Sequence, residues 1–371
     1  MPSSPFDGAR RVLERAIAAR TFPAAAVDVG STVGTLWQDA VGTLTADRFP
    51  AAALDTPFDL ASLTKVLATT TVVMQLMATG RLRLDDRVAA FFEDWRGADR
   101  ESVTVRDLLE HASGLPARLV DPPPASRREF EYEICRIALE YDPRTRSIYS
   151  DLGFILLGFI AEQRGGATLP QQFADVMVRL KPDATHDSDP GYVVSGFSRT
   201  HPLTFELDAD LRRRAAPTLA MDDDARRGRT LIGEVHDNYA AALGGAAGHA
   251  GLFGTAAAVG QFARLVLGAA RGDQRLPAPF TPALVRAFTT KSSVPASSRA
   301  LGWDRMLPSS SCGGRMSAAA FGHVGFTGTS LWIDPERDRY FVLLTNRAAG
   351  GGTLDEMRAV RREFHDALGD V

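Results

Sequence analysis

Along the first 80 residues the apolar positions change period twice. Leu13 and Ile17 stand four apart among Asp7, Arg10, Arg11, Glu14, Arg15 and Arg20, the spacing of a helix with one buried face. Ala24 to Val29 and Gly34 to Trp37 are short apolar runs set off by Gly and Pro, which predicts two strands of a hairpin. Ala61 to Gly80 predicts a buried helix, ended by Gly80. The middle of the chain reads as mostly helical, with breaks at Pro122-Pro123-Pro124 and at the loop Lys181-Pro182-Asp183. Its most apolar helix, Leu152 to Arg164, is closed by Gly165-Gly166. Strands return at Thr329 to Asp334 and Tyr340 to Thr345, joined by the turn Pro335-Glu336-Arg337-Asp338, and Thr353 to Leu368 predicts a closing helix. Strands at both ends around a helical middle predict an α+β fold. Residues 1–80 and 245–371 would build a sheet domain, and residues 81–244 a mostly helical insertion.

Composition narrows the class. A chain of 371 residues with 45% hydrophobic and 23% charged positions is that of a globular protein able to bury a large core. A net charge of -3 gives no basic surface for a nucleic acid or an anionic membrane. The longest nearly apolar run, Leu152 to Ala161, is far short of the roughly 18 residues of a spanning helix. Charges occupy the positions where a signal peptide would be apolar, so the expectation is a cytoplasmic protein. Cys135 and Cys312 are too few for a disulfide framework and read as thiols in a reducing compartment. The run of Arg212 to Arg214, Asp222 to Asp224 and Arg226 to Arg229 predicts an exposed, self-paired loop.

Lysine is nearly absent: Lys65, Lys181 and Lys291 stand against 39 arginines. A lysine kept in such a chain marks a place where arginine fails, since arginine cannot release its proton and a desolvated lysine can. Lys65 closes Ser62-Leu63-Thr64-Lys65, where the strand region gives way to a helix. The i, i+3 spacing puts the serine oxygen and the amine on one helical face, and a serine in the first turn sits where backbone N–H groups favour developing negative charge. That arrangement suits an amine-activated serine nucleophile. Tyr149-Ser150-Asp151 precedes the apolar helix, and His323-Val324-Gly325 opens a late strand. Phosphate-loop, GxSxG and zinc-binding HExxH patterns are absent from the sequence, and the seven histidines are scattered.

In this order, the three motifs resemble those of the serine β-lactamase and penicillin-binding-protein superfamily. The likeness is greatest to its class C-like branch, which includes family VIII carboxylesterases and DD-peptidases. Gly80 to Asp86, Leu108 to Leu115 and Gly248 to Phe253 match as well, so the resemblance spans about residues 10 to 365. It implies a mainly antiparallel sheet flanked by helices, with the active site between sheet domain and helical insertion. It implies Ser62 as the acylated nucleophile, Lys65 as the acceptor or relay of its proton, and Tyr149 as the shuttle to leaving group and water. The backbone N–H groups of Ser62 and Phe326 would form the oxyanion hole. His323 would hold positive potential over the substrate, and Asp151, His323, Gly325 and Thr327 would bind it. The implied reaction is acyl transfer from a small-molecule ester or amide to Ser62 and then hydrolysis. No cofactor or metal is implied, and the protein would be a monomer or small homo-oligomer.

Two departures bear on the substrate. Many relatives have asparagine at Asp151, and KTG or HTG where this chain has His323-Val324-Gly325. Val324 lacks a hydroxyl for a substrate carboxylate, histidine is only partly charged at neutral pH, and Asp151 keeps Lys65 protonated. Thr327 or Thr329 would partly replace the hydroxyl. The expectation is therefore a carboxylesterase rather than a β-lactamase or D-Ala-D-Ala carboxypeptidase. A non-catalytic ligand-binding relative is disfavoured by the intact Ser62, Lys65 and Tyr149. His111 and His249 read as hydrogen-bonded structural histidines beside the site, and Asp85 and Asp86 as helix caps.

Overall fold

A computed structural model describes residues 4–45, 50–119, 122–180 and 203–369, so the predicted loop Lys181-Pro182-Asp183 lies outside the described residues. The strands are β1 (Ala24–Gly30), β2 (Thr35–Gly42), β3 (Phe58–Asp59), β4 (Leu203–Thr204), β5 (Thr218–Leu219), β6 (Thr230–Leu231), β7 (Phe253–Gly254), β8 (Asp304–Arg305), β9 (Phe321–Val324), β10 (Ser330–Asp334) and β11 (Arg339–Thr345). The helices are α1 (Asp7–Ala18), α2 (Thr70–Ala78), α3 (Val105–Leu109), α4 (Arg127–Arg136), α5 (Asp151–Gly165), α6 (Leu169–Arg179), α7 (Ala209–Arg214), α8 (Asn238–Ala242), α9 (Ala256–Ala270), α10 (Pro282–Thr289) and α11 (Leu354–Ala367).

Six strands form one antiparallel sheet in the order β2-β1-β11-β10-β9-β8. Its centre joins the two ends of the chain: Ala25 of β1 lies opposite Thr345 of β11, and Gly30 opposite Tyr340. Both faces of β1 are covered. Ala25, Val27 and Val29 meet Val12 and Leu13 of α1 and Phe364 of α11, while Ala24 and Ala26 belong to the core that holds Val259 and Phe262 of α9. Covering on both sides explains an apolar run where a half-buried strand would alternate. Asp28 is the polar exception, and Gly260 of α9 makes room for it: a Cβ there would lie 2.5 Å from Asp28 Oδ1. β2 runs to Gly42, well past Trp37, because its partly exposed outer face carries polar residues that do not read as strand.

The second part of the core is helical. Leu152 through Ala161 of α5 are buried without a break, and α5 packs beside α2, α3 and α6. The Ser150 side chain caps its start, and Gly166 ends it at φ +74 in the left-handed region. The rest of the middle is less regular than predicted. α3, α7 and α8 have 5, 6 and 5 residues, β4 joins β7 and β3 in a small sheet, and β5 pairs with β6. Two smaller expectations fail for local reasons. Asp85 pairs with Arg83 and Asp86 accepts the Arg83 N–H, closing a turn instead of capping a helix. Arg226 pairs with buried Asp224 and donates to the carbonyls of Val235 and His236, so part of the charged cluster braces a loop and is not solvated. Cys135 and Cys312 are buried free thiols.

Candidate active site

Ser62 stands at the mouth of the second helix. The amides of Leu63, Thr64 and Lys65 bond back three residues to Leu60, Ala61 and Ser62 at 3.0, 3.0 and 3.1 Å, a tight entry. Lys65–Thr69 then form one π-helical turn that runs into α2, a widening found mostly at functional positions. Ala61 has φ +46, which is strained for a residue with a Cβ. Asp59 holds that turn from beneath: Oδ1 accepts the Ala61 N–H at 2.8 Å and Oδ2 accepts the His236 N–H at 2.6 Å. Burial pushes the Asp59 carboxyl up to about 6 against those hydrogen bonds.

The Ser62 hydroxyl oxygen accepts from Tyr149 OH at 2.7 Å and from Lys65 Nζ at 3.1 Å. Lys65 spends its other donors on Asp151 Oδ1 at 2.7 Å and on the His249 carbonyl at 3.1 Å. Burial alone would push the amine down, but Asp151 and Tyr149 outweigh it and hold Lys65 above the usual lysine value. The resting group is an ammonium. Burial raises the Tyr149 phenol, with Lys65 opposing, so it rests protonated.

Each partner is set by its own element. Ser150, whose N–H donates to His111 Nδ1, caps α5 and so leaves Tyr149 outside the helix and Asp151 in its first turn. The glycine-rich loop crosses α5 so closely that a Cβ on Gly248 would be 1.9 Å from the Phe154 carbonyl oxygen, and this brings His249 to Lys65. Arg118 bridges Asp151 Oδ2 at 3.3 Å and Asp237 Oδ2 at 2.9 Å, and Asp237 Oδ1 meets His249 Nε2 at 2.7 Å. Charge therefore alternates from Lys65 through Asp151 and Arg118 to Asp237.

The end of β9 reaches the same place from the sheet. Gly325 packs on the nucleophile turn, where a Cβ would lie 2.7 Å from the Leu60 carbonyl oxygen and 3.2 Å from Ala61 Cβ. That contact seats the end of β9 on the turn that leads into Ser62. Thr327 Oγ1 donates to the Asp59 carbonyl at 2.8 Å and Thr329 Oγ1 to the Leu60 carbonyl at 3.0 Å. Four expectations are corrected here. Thr327 and Thr329 are buried and committed to the turn, so neither hydroxyl is free for a substrate. Asp151 is held by Lys65 and Arg118 and positions the amine instead of binding substrate. His323 is not a source of positive potential: burial, then Arg299 and Lys65, push it well below the usual histidine value, and its ring is neutral with Nδ1 on the Val324 carbonyl at 2.9 Å.

A further positive group near the site is one that the sequence reading missed. The Arg299 guanidinium lies 5.4 Å from the centre of the Tyr149 ring, and the ring of His323 lies 6.0 Å from it. In a chain with 39 arginines, nothing singled it out. Asp59, Arg118 and Asp237 were missed as well, since they come from separate loops and strand ends that only folding brings together. His111 and His249 are the structural histidines expected: His111 packs its ring on Tyr149 at 4.8 Å and accepts the Ser150 N–H.

The chain is similar to proteins of one family along nearly its whole length. The family model described as "Beta-lactamase" matches residues 9–366. A putative D-alanyl-D-alanine carboxypeptidase of Escherichia coli K12 is 31% identical over 329 residues, 82% of this chain and 72% of its own. An N-acetylmuramyl-L-alanine amidase of Bacillus subtilis 168 is 32% identical over 314 residues, 79% of this chain and 68% of its own. The solved structure of EstCE1, described as a hydrolase with promiscuous acyltransferase activity, shares the fold with a TM-score of 0.74 at 19% identity over 98% of both chains. A serine, lysine and tyrosine within hydrogen-bond reach, in this fold and with this match along nearly the whole length, place the chain in the β-lactamase family of serine hydrolases.

Proposed function

We propose that the protein is a carboxylesterase that hydrolyses small, neutral esters through an acyl-enzyme on Ser62. The observation that carries this is the Ser62 hydroxyl, held between Tyr149 OH and Lys65 Nζ at the mouth of a helix. In the minor form that has lost its extra proton to solvent, the neutral Lys65 amine takes the Ser62 proton as Oγ adds to the ester carbonyl, and Asp151 Oδ1, 2.7 Å away, holds the ammonium so formed. The Oγ–H bond breaks as a new N–H bond forms, so Lys65 ends the addition as an ammonium. Tyr149 OH then protonates the leaving alkoxide, and water repeats the sequence in reverse on the acyl-Ser62 ester. An uncharged His323 beside aliphatic Val324 supports a neutral substrate.

A second reading is hydrolysis of an amide that carries a carboxylate, as the names of the two curated relatives suggest. Arg299 beside Tyr149 favours it. The test compares wild type, Ser62→Ala and Arg299→Ala on p-nitrophenyl butyrate, a peptide ending in D-Ala-D-Ala, N-acetylmuramyl-L-alanine and penicillin, with intact-mass detection of adducts. Ester turnover should fall by about 10³-fold or more in Ser62→Ala with an unchanged melting curve. It should be little altered in Arg299→Ala. Turnover retained by Ser62→Ala would sink both readings. Faster cleavage of the peptide or the muramyl amide, lost in Arg299→Ala, would put the second reading first.

A further inference from the structure

Two arginines with no acid beside them among the described residues lie behind the Phe326 peptide. Arg361 of α11 is buried, and its Nη2 donates to the Gly325 carbonyl at 2.8 Å and to the Thr329 carbonyl at 2.9 Å. Arg347, just after β11, donates from Nε to the Phe326 carbonyl at 3.0 Å and from Nη1 to the Gly352 carbonyl at 2.9 Å. Among the described residues neither guanidinium has a carboxylate partner; all their acceptors are backbone carbonyls. Burying an unpaired cation is costly, and a fold that needed only a filled volume there could use an apolar side chain.

The peptide that Arg361 holds gives the cation its use. The Gly325 carbonyl and the Phe326 N–H belong to one trans peptide, so they point in opposite directions. With the carbonyl bound to Arg361, the N–H is turned away from α11. Gly325 itself is pressed onto Leu60 and Ala61, the residues that lead into Ser62. A hydrogen bond from a charged donor to a peptide carbonyl also polarises that peptide and makes its N–H a stronger donor.

We propose that Arg361 is a positioning residue for acyl transfer: it locks and polarises the Gly325–Phe326 peptide so that the Phe326 N–H meets the oxyanion formed when Ser62 adds to a carbonyl. Arg347 fixes the next peptide in the same way. The proposal rests on Ser62 being the nucleophile. It adds a cation, placed behind the oxyanion hole by the C-terminal helix, to the groups that touch the substrate.

The test uses Arg361→Met, which removes charge and donors, and Arg361→Lys, which keeps the charge but cannot reproduce the guanidinium geometry. Removing a whole oxyanion donor typically costs 10²–10³ in kcat, so loosening one should lower kcat of Arg361→Met for p-nitrophenyl butyrate by about 10- to 100-fold with KM little changed. The fluorophosphonate labelling rate at Ser62 should fall in parallel, with Arg361→Lys in between. Infrared difference spectra of an acyl-enzyme made with a carbonyl-13C ester supply a readout that packing alone would not move. The acyl carbonyl band should shift to higher wavenumber in both variants as its polarisation weakens. A folded Arg361→Met with wild-type kcat and an unshifted band would overturn the proposal. If that variant does not fold, an unshifted band and unchanged kcat in Arg361→Lys would overturn it equally. Failure of wild-type Ser62 to react with the fluorophosphonate would instead remove the nucleophile assignment beneath it.

Discussion

Lys65 shows at single-residue scale how a buried amine can be kept charged. Its burial favours the neutral form, and Asp151 at 2.7 Å reverses the balance. The neutral amine that accepts the Ser62 proton most readily is therefore scarce at neutral pH, and kcat/KM should rise as pH climbs into the alkaline range. Asp151→Asn removes the charge that raises Lys65 and leaves burial to lower it, so the rising limb should move to lower pH by about one unit or more. A pH–rate profile decides this, and an unmoved limb would mean that Asp151 does not set the proton affinity of Lys65. The motifs were legible at this scale because each is a short string on one element. Arg299 and Arg118 were not, since an arginine's neighbours depend on loop paths that no local pattern encodes.

At the scale of elements, the site is a junction of three: the turn into the π-helical stretch, the start of α5 and the end of β9. Gly325 is where β9 meets the turn. A methyl group there would lie 2.1 Å from Thr329 Oγ1 as well as close to the Leu60 carbonyl oxygen, so Gly325→Ala must push the strand end away from Ser62. A displacement near 1 Å at a catalytic junction costs about 10²-fold, so turnover should fall by at least that much. A fluorophosphonate labelling rate equal to that of wild type would show that the junction yields without disturbing the nucleophile. The element pattern explains what was readable: α5 and β11 are continuous apolar runs because they are buried all round, whereas β8 and the small sheet of β3, β7 and β4 have two-residue strands that carry no periodicity.

Over the whole molecule, the central sheet separates a structural side from a working side. α1 and α11 cover one face, and the core that includes Leu63 and Val66 of the nucleophile helix lies on the other. Leu13 of α1, buried against the first face, is remote from Ser62 in this layering. Leu13→Ala should cost about 2–5 kcal/mol of stability, seen as a lower urea midpoint. Its kcat per folded molecule should stay at the wild-type value below the transition; a matching loss of kcat would show that the two faces are coupled. α11 is the element that belongs to both sides, since Phe364 packs on the sheet while Arg361 reaches the β9 end.

The sequence alone determined the α+β class, the helices with strong apolar faces, and the Ser62, Lys65 and Tyr149 set with its family. Those signals are local in the chain, or are short strings whose order is itself informative. Tertiary structure decided which charges face one another. It made His323 neutral, consumed the hydroxyls of Thr327 and Thr329, fixed Asp151 on Lys65, and put Arg299, Arg347 and Arg361 around the site. The physical reason is that desolvation and Coulomb attraction depend on distances in space, and residues far apart in the chain set those distances only once the fold has closed.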